Sequence, residues 1–146
     1  MKALLLLLIA GTAAADPSLR GTLMVAGRPH CGGAYMPDYK APAPTPGANV
    51  KLLVRKGDKN SERKPVELVT EKDGTFSAEL AKGKYCVVFE DKRKKPRKGG
   101  QYADLKCLIA DWSRCDAVVD VPVTDPIEVM RPATCFGPCY HGPMPP

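Results

Sequence analysis

Six cysteines in a chain of 146 residues limit this sequence more than any other feature. Cys31, Cys86, Cys107, Cys115, Cys135 and Cys139 all follow a segment, residues 1–15, that does not read as part of a fold. Lys2 opens it, a leucine-rich apolar run occupies Ala3 to Ala10, and Ala13-Ala14-Ala15 precedes Asp16. A positive start, a short apolar stretch and small residues in that order form the pattern of a secretory signal peptide. The run is shorter than the ~20 residues a membrane-spanning helix needs. A cleaved leader is therefore expected, with no transmembrane segment after cleavage and a periplasmic or secreted location. An even cysteine count in a small exported domain reads as a disulfide framework. The residues do not fix the pairing; the expectation is Cys107 with Cys115 across a short loop, and Cys31 tied to the Cys135/Cys139 region.

Residues 16–131 are read as one β-sandwich domain, with a proline-rich loop at 27–46, and residues 132–146 as a Cys/Pro/Gly-rich tail. Arg20 to Ala26 reads as a first strand. The loop that follows carries Pro29, Pro37, Pro42, Pro44 and Pro46, and proline removes the ladder donor that a strand requires. In Asn49 to Arg55, Val50, Leu52 and Val54 share one face at period two, and only Leu53 breaks the alternation of a half-buried strand. Val66 to Thr70 alternates again. Asp73-Gly74 is a hairpin signal, leading into Thr75 to Leu80. Lys84 to Phe89 is apolar on both faces, as a central strand is. Tyr102 to Ile109 reads as a further strand, Asp111 to Asp116 as a loop, and Ala117 to Val123 and Ile127 to Met130 as final strands. No segment after the leader shows a convincing helical period. About seven short strands with Gly/Pro turns imply an all-β sandwich.

Three pieces of this pattern carry a family resemblance: Pro46-Gly47-Ala48-Asn49-Val50, Thr70-Glu71-Lys72-Asp73-Gly74-Thr75-Phe76, and Gly83-Lys84-Tyr85. Together they resemble the carboxypeptidase regulatory-like or Cna-B-type domains of bacterial exported proteins. The resemblance implies a transthyretin-like (prealbumin-like) Greek-key β-sandwich, with Phe76 and Tyr85 as core anchors. Many Cna-B domains close an isopeptide bond from a first-strand lysine. The segment Gly21 to Ala26 has none, so disulfides are expected to take over that stapling. A fold of this kind does not by itself give a function.

Two constellations stand out chemically. Lys92, Arg93, Lys94, Lys95, Arg97 and Lys98 place six cations in seven positions of a chain whose formal charge is +6. Such a run is either a solvated loop or a contact for an anionic polysaccharide, a lipid surface or a protein partner. Nucleic acid is not expected, because the chain is read as exported and no aromatic residue interrupts the run for base stacking. Trp112, the only tryptophan, lies between Cys107 and Cys115 and either stacks on a sugar or caps the core under a disulfide loop. The second constellation is His30, Cys31, Cys135, Cys139 and His141, a thiolate and imidazole set suited to zinc or copper. Oxidised sulfur would remove it, since a disulfide is not a thiolate ligand. With both histidines in the loop and the tail, acid–base catalysis has few candidates. The reading is a non-catalytic binding or envelope-associated module without a cofactor, with a periplasmic copper- or zinc-handling protein as the alternative.

Overall fold

A computed structural model of the chain describes residues 17–32 and 37–143; the expected leader therefore lies outside the described residues. Among the described residues, eight strands and one α-helix follow each other in the order β1 (Leu19–Val25), β2 (Thr45–Pro46), β3 (Lys51–Lys56), β4 (Val66–Val69), β5 (Thr75–Ala78), β6 (Gly83–Phe89), α1 (Leu105–Ser113), β7 (Ala117–Val121) and β8 (Ile127–Arg131). A 3₁₀ turn, Glu90–Lys92, joins the end of β6 to the basic run.

The strands form two four-stranded sheets. In the first, β1 is central. It pairs antiparallel with β5 through Leu19 to Thr22 and with β2 at Met24 and Val25. Along its other edge runs β8, parallel, with Gly21 opposite Ile127 and Val25 opposite Arg131. The second sheet has the order β4-β3-β6-β7 and is antiparallel throughout. The proline-rich loop at 27–46 thus ends in a two-residue edge strand.

Period-two alternation explains the core. Leu19 and Leu23 of β1, Phe76 of β5 and Val129 of β8 meet Leu52, Val54, Tyr85, Val87, Phe89, Val119 and Val121 of the opposing sheet. Leu53, out of step in the sequence, belongs to a second cluster with Cys86 and Val88 on the other face of the β3–β6 pair, where Cys115 packs against it. Both faces of β3 and β6 are covered, as expected for strands at the middle of a sheet.

The turns are held by side chains at the quoted sequence motifs. Thr70, fully buried, accepts from the Val50 amide at 2.8 Å and donates to the Gly47 carbonyl. Asp73 accepts from the amide and hydroxyl of Thr75 at 3.0 and 2.6 Å. Gly74 has a φ of +82°, and a Cβ there would stand 2.5 Å from the Leu23 carbonyl oxygen. Only glycine meets both demands.

Two expectations are corrected. Tyr102 to Ile109 is not a strand, and Asp111 to Asp116 is not wholly a loop, because α1 spans Leu105–Ser113. Asp104 caps it by accepting from the Cys107 amide at 3.0 Å, and so satisfies a donor that the first turn leaves open. The sandwich is therefore mostly β, with one helix. The expected Cys107–Cys115 bridge is also overturned. Six residues at 1.5 Å rise carry the chain roughly 9 Å along the helix from Cys107 to Ser113, with Cys115 beyond its end, whereas a disulfide spans at most ~7 Å. The bridges are Cys31–Cys135, Cys86–Cys115 and Cys107–Cys139, with Cα separations of 5.3, 5.3 and 5.8 Å. Three bridges mark a chain that matures in an oxidising compartment rather than the reducing cytoplasm. No helix among the described residues is long and apolar enough to cross a membrane.

Candidate binding site

The outer face of the second sheet is organised around a buried cation. Arg55 alternates onto the same side of β3 as Leu53 and is only 3% exposed. It donates to the carbonyls of Arg63 and Arg93 at 3.0 and 3.2 Å and to the Asn60 side-chain oxygen. The Asn60 amide in turn donates to the carbonyls of Lys92 and Trp112, both at 2.9 Å. The Trp112 indole donates to that same Lys92 carbonyl at 2.9 Å. These bonds join β3, the 3₁₀ turn and the end of α1 into one unit. Burial, and then the charge of Arg93, pull the Arg55 guanidinium below its ordinary pKa.

This unit divides the basic run into two parts. Lys92 points back into the fold, 3.0 Å from Asp116 Oδ1 and 3.0 Å from the Arg114 carbonyl. Arg93 pairs with Glu67 at 2.5 Å and Glu90 at 3.4 Å. The hydrogen bond from Arg93 holds the Glu67 carboxyl below its usual range, and Lys51, 3.0 Å away, does the same for Glu90. Lys94, Lys95, Arg97 and Lys98 are exposed instead, and none has an ion-pair partner among the described residues. Lys95 places its ammonium 5.9 Å from the centre of the Trp112 ring.

Trp112 is itself buried, at 7% exposure. Its indole is buried and bonded to the Lys92 carbonyl, and is not offered to a sugar. Cys31, Cys135 and Cys139 are all in disulfides, so they present no thiolate to a metal. His30 lies beside Tyr39, with ring centroids 5.4 Å apart, while His141 is held by its backbone to Tyr102. Among the described residues, no three His, Cys, Asp or Glu side chains are grouped to hold a metal ion.

Sequence reasoning missed a cleft of about 570 Å³ between the sandwich and the tail. Phe89, at the end of β6, and Arg131, at the end of β8, line it, with the guanidinium 5.1 Å above the ring. A second wall comes from Asp91, Lys92, Asp111, Arg114 and Asp116. The third is the tail from Pro132 to Pro138. Cys135 fastens this tail to the early loop, and Cys139 fastens it to α1. Phe136, between the two anchors, stacks on Tyr140 at 4.5 Å. The wall is thus covalently fixed in its middle at Cys135 and just past its end at Cys139, which limits the entropy that ligand binding would remove. A signal for this existed in Cys135-Phe136-Gly137-Pro138-Cys139, two cysteines flanking an aromatic residue, but its partners lie far away in sequence.

A search of family models, curated proteins and solved structures finds no match to the chain.

Proposed function

We propose that this chain is an exported, periplasmic or secreted, non-catalytic binding module whose loop from Lys94 to Lys98 contacts an anionic partner. The observation that carries the reading is the division of the basic run. Lys92 and Arg93 are neutralised by Asp116, Glu67 and Glu90 and serve the fold. The next four cations are exposed and have no carboxylate partner among the described residues, next to a base that Arg55 and Asn60 tie together by hydrogen bonds. Cations so placed raise the local concentration of an anion and speed its capture. We also assign the fold to the transthyretin-like Greek-key sandwiches of carboxypeptidase regulatory-like or Cna-B type. Supporting this are Thr70, Gly47 and the Asp73-Gly74 turn, which tie β1, β3 and β5 at the positions of the family motif.

The test replaces Lys94, Lys95, Arg97 and Lys98 together by serine. Elution from immobilised heparin and binding to phosphatidylglycerol vesicles are then measured against salt. The native protein is expected to elute at higher salt than the variant from at least one of these. Equal behaviour on both supports would reduce the loop to a solvated turn.

A further inference from the structure

The cleft has a chemistry that the basic loop lacks, because its charges balance. Asp111 is committed to Arg114 at 2.5 Å and Asp116 to Lys92 at 3.0 Å. Asp91 and Arg131 remain, and neither has an ion-pair partner among the described residues. The Arg131 guanidinium lies over Phe89, so one face is covered and its in-plane N–H edge stays available. That edge takes a carboxylate through two parallel hydrogen bonds. Phe136 and Thr134 of the tail also line the cleft and add an aromatic ring and a hydroxyl. The volume falls within the range of small-ligand sites.

A sulfate-rich or phosphate-rich ligand would bring several charges to a cleft with one unpaired guanidinium, Arg131, and an unpaired carboxylate, Asp91. A sugar ring with one carboxylate fits better. Its hydroxyls are donors for Asp91, its C–H face suits Phe136, and its carboxylate meets Arg131. We propose that the cleft is a subsite for one uronate residue of an acidic polysaccharide, whose chain continues along Lys94 to Lys98. Lys92 joins the two regions: its side chain lines the cleft, its carbonyl holds the Trp112 indole, and Lys95 lies over that same indole. The continuation of the polymer rests on the proposed role of the loop, whereas the subsite rests on Arg131 and Asp91.

The experiment is calorimetric titration with tetragalacturonate and with its methyl ester, at low and at high salt. High salt screens the exposed loop more than the partly enclosed cleft. The native protein is expected to bind the acid at both salt concentrations and the ester about tenfold more weakly. Arg131→Gln should weaken binding by about tenfold at high salt, and so should Arg131→Lys, which keeps the charge but not the fork. Asp91→Asn, an exposed substitution that spares the packing over Phe89, should weaken it as well. Absence of native binding, equal binding of acid and ester, or native affinity in the Arg131 and Asp91 variants overturns the subsite. If the Arg131 variants lose affinity while the four-serine loop variant binds like native protein at low salt, the loop reading fails and the subsite stands. The reverse pattern removes the subsite and leaves the loop.

Discussion

The buried guanidinium of Arg55 is held by the side-chain oxygen of Asn60, and among the described residues no carboxylate forms an ion pair with it. A buried cation without a counter-ion depends wholly on its hydrogen bonds. Asn60 also bonds to the 3₁₀ turn and to α1, so one amide group coordinates three elements.

Asn60→Ala is expected to destabilise the domain by about 2–3 kcal/mol, since it takes an acceptor from the buried Arg55 guanidinium and the side-chain donor from the Trp112 carbonyl, while the Lys92 carbonyl keeps the Trp112 indole. Urea unfolding of the oxidised protein checks this. Native stability in the variant would show that water replaces the amide without loss.

The bridges are expected to differ in their contribution. Cys31–Cys135 closes a separation of 104 residues and Cys107–Cys139 one of 32. In the chain-entropy model, removing either as a double serine variant costs roughly 3–5 kcal/mol, more for the longer loop. Thermal melts of the two variants test the order. Peptide mapping without reduction should recover Cys86 linked to Cys115 and no Cys107–Cys115 peptide.

Thr70→Val should cost about 1–3 kcal/mol although it keeps the shape of the side chain, because it leaves the Gly47 carbonyl and the Val50 amide unpaired. Gly74→Ala should also destabilise, through its positive φ and its contact with the Leu23 carbonyl. Comparison with Thr75→Ser, which retains the bond to Asp73, separates loss of the motif from general sensitivity of the hairpin.

Acid should weaken the fold through Glu67 and Glu90. Both have folded pKa values below the ordinary 4.5. Their contribution is thus complete above the unfolded value and is lost as pH falls through the folded one. The melting temperature should therefore decline below about pH 4.5, and less steeply in a Glu67→Gln/Glu90→Gln variant. Parallel curves would show that Arg93 and Lys51 add nothing to stability. Because the pairs are exposed, the difference should be small and should shrink with salt.

What the sequence disclosed follows from the range of the interactions. Period two in Val50, Leu52 and Val54, the apolar faces of β6 and the Asp73-Gly74 turn are local signals, and the strands lie where they point. The helix carried a local signal too. Leu105, Leu108, Ile109 and Trp112 are spaced for one helical face, behind Asp104 as cap, but the segment is short and reads as readily as strand and loop. Its only buried residue is Trp112, and Cys139 anchors it from a distance. The fate of Lys92 and Arg93 was not legible, because Asp116 and Glu67 stand 24 and 26 residues away. The cleft depends on cysteine pairing, which spacing cannot decide.

The position of the basic loop between Cys86 and Cys107 has an effect on durability. A protease that cut after Lys94 or Arg97 would separate a fragment holding Cys31 and Cys86 from one holding the other four cysteines. Cys31–Cys135 and Cys86–Cys115 both cross that division. The nicked molecule would stay a single covalent body with its sheets joined, coming apart on a gel only after reduction.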